Sequence, residues 1–171
     1  MFKVNDTVLY GSQGVCRIKA IEIKEIGKKK RSYYVLRPIY QESSTIFVPV
    51  DNENLVSKMH NVMSIEEIKN LIIDMPKYDT VFETDDSLRR NSYREILSSG
   101  DRVAIASVIK SLYSEQLRRK ETGKKLPLAD EQILNHAENL LCNELALVLN
   151  IEPQQVISFI NEQIELNALN R

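Results

Sequence analysis

The hydrophobic periodicity of this chain changes once, and that change limits the folds open to it. Up to Val50 the apolar residues fall in short runs and two-residue alternations separated by turn signals. Beyond Val50 they recur at three- and four-residue spacing and do not return to alternation. Strands first and helices afterwards predict an α+β chain, and 171 residues allow one domain or two small ones.

In the β-rich front, Val8-Leu9-Tyr10 is a short apolar run and Gly11-Ser12-Gln13-Gly14 a turn signal. From Val15 to Ile23 the residues alternate, but the register shifts near Ala20-Ile21. Cys16, Ile18 and Ala20 share one face while Ile21 and Ile23 share the other, which predicts a bulge or strong bend. Ile26, the run Gly27 to Arg31, and then Tyr33 to Leu36 read as a β-hairpin with a charged tip. The basic run Lys28 to Arg31 either binds phosphate or forms a solvated loop that guards an edge.

Thr45 to Val50 is the fourth predicted strand. Alternation sets Ile46, Val48 and Val50 against Thr45, Phe47 and Pro49. With the even set in the core, Phe47 points outward. There it either anchors a partner, at about 1.5–3 kcal/mol on burial, or is covered by the chain's own helices. Pro49 cannot donate to a ladder and predicts an edge strand or a strand end, the kind of edge that a partner sheet extends. Four or five strands in fifty residues make a small half-open barrel, which is marginal alone.

In the helical back, Ser64-Ile65-Glu66-Glu67 is a capping box, and Ile65, Ile68, Leu71 and Ile72 follow at helical spacing until Pro76. Lys77 to Glu83 reads as the connector. The expected division is a β domain over 1–60, a connecting helix over 61–77 and an all-α helical domain over 78–171. The next helix begins at Asp85, Asp86 or Ser87 and carries Arg89, Arg90 and Arg94. Gly100 stops it and Asp101 caps a long helix with Val103, Ala104, Val108, Ile109 and Leu112 toward a core. That helix ends in Arg118-Arg119-Lys120, with Lys124 and Lys125 beyond, a cluster that the helix dipole alone could explain. A further helix from Leu128 has the stripe Ile133, Leu134, Ala137, Leu140, Leu141, Leu145 and Leu149. Pro153 opens the last, with Val156, Ile157, Ile160 and Ile164 as its core stripe.

The net charge of −1 hides an uneven distribution: residues 1–60 carry +4, residues 61–125 +1 and residues 126–171 −6. Any contact with DNA is therefore local, and the acidic end should repel DNA. No apolar run reaches about 18 residues. The N-terminus lacks an apolar signal core, so a cytoplasmic protein without a membrane span is expected. Cys16 and Cys142 are expected as small buried thiols. No phosphate loop, dinucleotide fingerprint or nucleophile elbow occurs. His60 and His136 have no carboxylate or Cys at ligand spacing. No enzyme, cofactor or metal site is expected.

Phe2-Lys3-Val4 with Asp6-Thr7-Val8 and Tyr10, then Gly14-Val15, Tyr33 with Val35-Leu36, Thr45-Ile46-Phe47-Val48-Pro49, Ser99-Gly100-Asp101 and Glu144-Leu145-Ala146 occur in a telling order. Over about residues 1–148 the chain resembles the CarD/CdnL family of bacterial RNA-polymerase-binding transcription regulators. The resemblance implies a Tudor-like N-terminal domain, shared with transcription-repair coupling factor, that binds the polymerase β subunit. It also implies a helical domain that touches promoter DNA at the edge of the melted region and stabilises the open complex. The polymerase-contacting positions it implies are Lys24 and Phe47, the latter standing where a well-studied branch of the family has an arginine. Thr45 and Pro49 on the same strand face join them as candidate docking residues. Asp86 stands where the family commonly has a tryptophan wedge, and Asp130-Glu131-Gln132 replaces a basic segment. Arg89, Arg90, Arg94, Lys124 and Lys125 are the candidate phosphate patch in compensation. Three readings remain: a regulator that contacts both polymerase and DNA, a polymerase-binding adaptor that has lost DNA binding, and a self-associating structural protein whose sheet pairs with another copy.

Overall fold

The computed structural model describes residues 1–26, 29–41, 43–80 and 82–169. The chain divides into two compact units, Met1–Val62 and Met63–Arg171.

The first unit holds strands β1 (Thr7–Tyr10), β2 (Val15–Ile26), β3 (Lys29–Pro38), β4 (Ile46–Pro49) and β5 (Met59–Asn61), with the one-turn helix α1 (Glu53–Val56). They form one open antiparallel sheet in the order β4-β3-β2-β1-β5. Gly11 and Gly14 take φ of 45° and 77° around the turn after β1, a backbone that side chains disfavour. The sheet curls over a core of Val8, Cys16, Ile18, Tyr34, Leu36, Val48 and Met59, with Ile46 and Val50 packed at its border. The α+β architecture expected from periodicity is present.

The irregularity in β2 sets the faces of this sheet. Cys16 pairs with Pro38 and Ile18 with Leu36, but Ala20 pairs with Val35, so Lys19 is an extra residue. Directly paired residues share a face. Before the bulge the even residues of β2 face the core; after it the odd ones do. Ile21 therefore sits beside core Tyr34, and Ala20, Glu22 and Lys24 turn to the opposite face. Lys29 to Arg31, expected in a loop, are residues of β3; Gly27 and Lys28 of that basic run lie outside the described residues.

The second unit comprises α2 (Ile65–Asp74), α3 (Asp86–Ser99), α4 (Arg102–Glu121), α5 (Leu128–Leu149) and α6 (Val156–Leu169). The capping box forms both ways: Glu67 N–H donates to Ser64 Oγ at 3.2 Å and Ser64 N–H to Glu67 Oε2 at 2.7 Å. Pro76 falls in a 3-10 turn after α2. Asp85 caps α3 and Asp101 caps α4, with Gly100 between them at φ 76°. The helix read as a connector is part of this unit: Ile68, Leu71 and Ile72 lie in its core, and the division falls after Val62 rather than between 77 and 83.

Two core stripes differ from expectation. On α4 the buried apolar residues are Ile105, Ala106, Val108 and Leu112, while Val103 is 47% exposed. Val108 and Leu112 are buried as expected and Ile109 packs half-buried on the core. But apolar residues occur on several sides of α4, and spacing alone included Val103 and missed Ile105 and Ala106. On α6 Val156 is buried, Ile160 and Ile164 are half-buried, and Ile157 is exposed. The α5 stripe is buried from Ile133 to Leu145, with Leu149 half-buried at its end. Cys16 and Cys142 are free thiols, and burial pushes their pKa up to about 12 and about 11, away from nucleophilic use. Among the described residues, no helix is long and apolar enough to cross a membrane.

Candidate functional site

Two surfaces carry the residues singled out by the sequence. On the sheet, β4 is an edge strand, and Phe47 pairs with Val35, which pairs in turn with Ala20, on the face away from the core. Phe47 is 42% exposed. Lys24 comes to it across β3: its Nζ lies 3.4 Å from the ring centroid, at cation–π distance, and 3.9 Å from Glu22 Oε2. Pro49 pairs with Tyr33, and Tyr33 with Glu22, on that same outer face, and Thr45 is exposed immediately before β4. The structure thus brings Lys24 and Phe47 together, with Pro49 on the same face. The result is an apolar ring topped by a cation, on a strand whose outer backbone edge is unpaired among the described residues.

The basic candidates on the helices divide. Arg89 is not on the surface: it is 1% exposed. Its Nη2 donates to Asp130 Oδ2 at 2.6 Å and to Asp86 Oδ1 at 2.8 Å, and its Nη1 to the Glu83 carbonyl at 2.9 Å. Its guanidinium carbon lies 4.4 Å from the centroid of the Phe82 ring. Burial alone would lower the Arg89 pKa, but the hydrogen bonds to Asp130 and Asp86 outweigh it and raise the value. Arg90 shares both carboxylates, at 3.3 Å from Asp130 Oδ1 and 3.4 Å from Asp86 Oδ2. The hydrogen bond from Arg89 holds the Asp86 carboxyl below its ordinary range. The expected phosphate role of Arg89 is therefore corrected. It is an internal strut between α3 and the first turn of α5, and Arg90 is partly committed to the same network.

Arg94, Lys124 and Lys125 remain exposed. Arg94 donates to Asn91 Oδ1 at 3.5 Å, and Lys124 and Lys125 stand in the loop between α4 and α5. Arg118 and Arg119 at the end of α4 are both held by buried Glu115, at 2.7 and 2.6 Å. The side chain of Arg118 nevertheless stays 68% exposed. Of the basic candidates, Arg94 on α3 and Lys124 and Lys125 after α4 thus stay exposed, with Arg118 at the end of α4 beside them in sequence.

The buried acids Asp130, Glu144 and Glu115 were missed as organising residues. Glu144 Oε1 accepts from Met63 N–H at 2.9 Å and from Arg102 Nη2 at 2.7 Å, while its Oε2 accepts from Arg102 Nε at 3.0 Å. The available signal was an acid inside an apolar stripe: Glu144 sits beside Leu145 and three and four residues after Leu141 and Leu140.

Two family models match the chain: the CarD-like/TRCF RID domain over residues 2–60 and the CarD C-terminal domain over residues 75–161. The chain is 26% identical over 161 residues to the Bacillus subtilis (strain 168) protein named "Putative transcription factor YdeB", covering 93% of this chain and 99% of that protein. The first match spans the sheet with its Lys24–Phe47 face, and the second spans the helices with the Asp86–Arg89–Asp130 network. The chain belongs to the CarD family, and is a transcription regulator that interacts with RNA polymerase.

Proposed function

We propose that the outer face of the sheet docks on the β subunit of RNA polymerase, and that the helical unit contacts promoter DNA through its backbone and so stabilises the open complex. The observation that carries the docking half is Phe47, outward on an edge strand with the Lys24 ammonium over its ring. An edge strand offers unpaired N–H and C=O groups to a partner strand, and Phe47 with Pro49 offers apolar area beside them. Covering the exposed part of Phe47 contributes on the order of 1 kcal/mol, with the backbone bonds in addition. The DNA half rests on Arg94 and the cationic end of α4, which bind phosphates without reading sequence. Phe47→Asp places a carboxylate on this face while leaving the core on the other side untouched. In a pull-down with polymerase it should lose binding at unchanged melting temperature. Wild-type retention at that melting temperature sinks the docking reading.

One observation favours a second reading, an adaptor without DNA contact. Asp86 and Asp130 tie up Arg89 and Arg90, and Asp86 leaves its own carboxylate 61% exposed on the α3 surface. A carboxylate there repels phosphate. Open-complex lifetime separates the two readings: reversal of Arg94, Lys124 and Lys125 to Glu shortens it under the first and leaves it unchanged under the second.

A further inference from the structure

Strand β2 is longer than its neighbour on one side. β3 pairs with it as far as Ile26, but β1 reaches only Val15 to Arg17. Beyond that, Asn5 N–H and Asp6 C=O bond to Ile18, and among the described residues no strand lies against Ala20–Ile26 on the β1 side. Alternate N–H and C=O groups of this stretch point away from β3, with no ladder to receive them. Edges of this kind are usually guarded by charge or by covering loops. This one presents Ile23, 73% exposed, and Ile21, 45% exposed, on its core-side face past the end of the core. Glu22 and Lys24 lie on its opposite face.

We propose that this edge pairs with the same edge of a second copy, antiparallel and centred on Ile23. In that register Ile23 lies opposite Ile23, and Glu22 opposite Lys24 on both sides of the two-fold axis. Ile21 of each copy then falls opposite Glu25 and diagonal to Ile23 of the other, within reach across the strands. Four isoleucines join on one face, with Glu25 of each copy at its two ends, and two opposite-charge pairs lie on the other. Sliding one strand by two residues keeps the faces but sets Glu22 against Glu22, or Lys24 against Lys24. Directly opposed like charges destabilise a ladder. The charge order Glu-Ile-Lys about Ile23 therefore selects one register of the three. The contact is isologous, so it closes at two copies.

Lys24 belongs also to the polymerase-facing surface, so the test uses the full chain alone, without polymerase. Sedimentation over a rising concentration series should show mass doubling. Glu22→Lys and Lys24→Glu should each move the midpoint to about tenfold higher concentration or more, since each turns two attractive pairs into two repulsive ones. The double variant Glu22→Lys/Lys24→Glu merely swaps the pairs and should return the midpoint to the wild-type value. Ile23→Asp, which opposes two carboxylates at the centre, should abolish doubling, while its melting temperature confirms that the unit is folded. A monomer at every concentration overturns the proposal. So does a dimer indifferent to either reversal, or a double variant no better than the singles.

Discussion

Arg89 Nη2 and Asp130 Oδ2 sit 2.6 Å apart with both side chains out of solvent, 1% and 0% exposed. The pair joins α3 to the start of α5 and holds Arg90 as well. A charge buried this far depends on its partners, because water cannot replace them there.

Asp130→Ala should cost about 3–5 kcal/mol of stability, because it strands the Arg89 guanidinium with only the exposed Asp86 to neutralise it. Urea unfolding of the full chain reads this as a lower midpoint. Replacing Arg89 by Met in the Asp130→Ala background removes the stranded charge and should recover part of the loss. No recovery would mean that the cost lies in packing rather than in charge.

Glu144→Gln keeps the shape but removes the charge that accepts from Met63 and Arg102. The expected cost is about 1.5–3 kcal/mol, the range for hydrogen bonds to charged groups. Amide exchange should quicken first at Met63, whose N–H loses its carboxylate acceptor. Equal quickening throughout the unit would argue against a local role.

The pH response is set in part by Glu115. Hydrogen bonds from Arg118, opposed by burial and reinforced by Arg119, hold its pKa down to about 2, from an ordinary carboxylate value near 4.5. A carboxyl depressed in the folded state stabilises it above the unfolded value, and that contribution disappears as pH falls through the folded one. Stability should therefore fall between about pH 4.5 and about pH 2. Glu115→Gln should be less stable at neutral pH and show a shallower acid slope over that window. A superimposable pH profile would remove Glu115 from the account.

Binding of the full chain to promoter DNA, with polymerase present, should weaken as salt rises. For B-DNA the slope of log affinity against log salt is about −0.9 per phosphate contact. Lys124→Ala with Lys125→Ala should reduce that slope by about 1 to 2. Arg90→Ala should change it little, because the Arg90 side chain is bound to Asp86 and Asp130. An Arg90 variant with the larger effect would reverse this ranking.

What could be read from the sequence were the features fixed within a few residues of one another. The Ser64–Glu67 capping box, the stop at Gly100, a cap within Asp85 to Ser87, the cap at Asp101, the disturbance near Ala20 and the outward Phe47 are all local. What could not be read depends on residues far apart in the chain. Nothing near Arg89 announces Asp130, 41 positions on, and the same guanidinium reads as a phosphate ligand until its partner is seen. Lys24 and Phe47 were each singled out, but their contact depends on how three strands lie side by side. On α4, Val103 was wrongly included and Ile105 missed for a related reason: which apolar sides are covered depends on the helices packed against it, α5 foremost. Strand β5, three residues containing His60 and Asn61, is too short and polar to announce itself.

The extra residue in β2 acts like a frameshift in side-chain direction. Everything downstream of Lys19 in that strand inherits an inverted sense. An even-numbered lysine consequently stands beside the ring of Phe47, and odd-numbered isoleucines extend the core side past its end. Removing Lys19, with every other residue kept, would restore one uninterrupted alternation. The pairing of Ala20 with Val35 and Ile21 with Tyr34 would be kept, so Lys24 would stay beside Phe47. Taking Lys19 into the ladder instead would turn Lys24 to the core side and Ile21 and Ile23 outward. Both proposed recognition surfaces of this sheet therefore depend on Lys19 staying outside the ladder, and an insertion or deletion beyond it, between Ala20 and Ile23, would invert them more abruptly than any substitution.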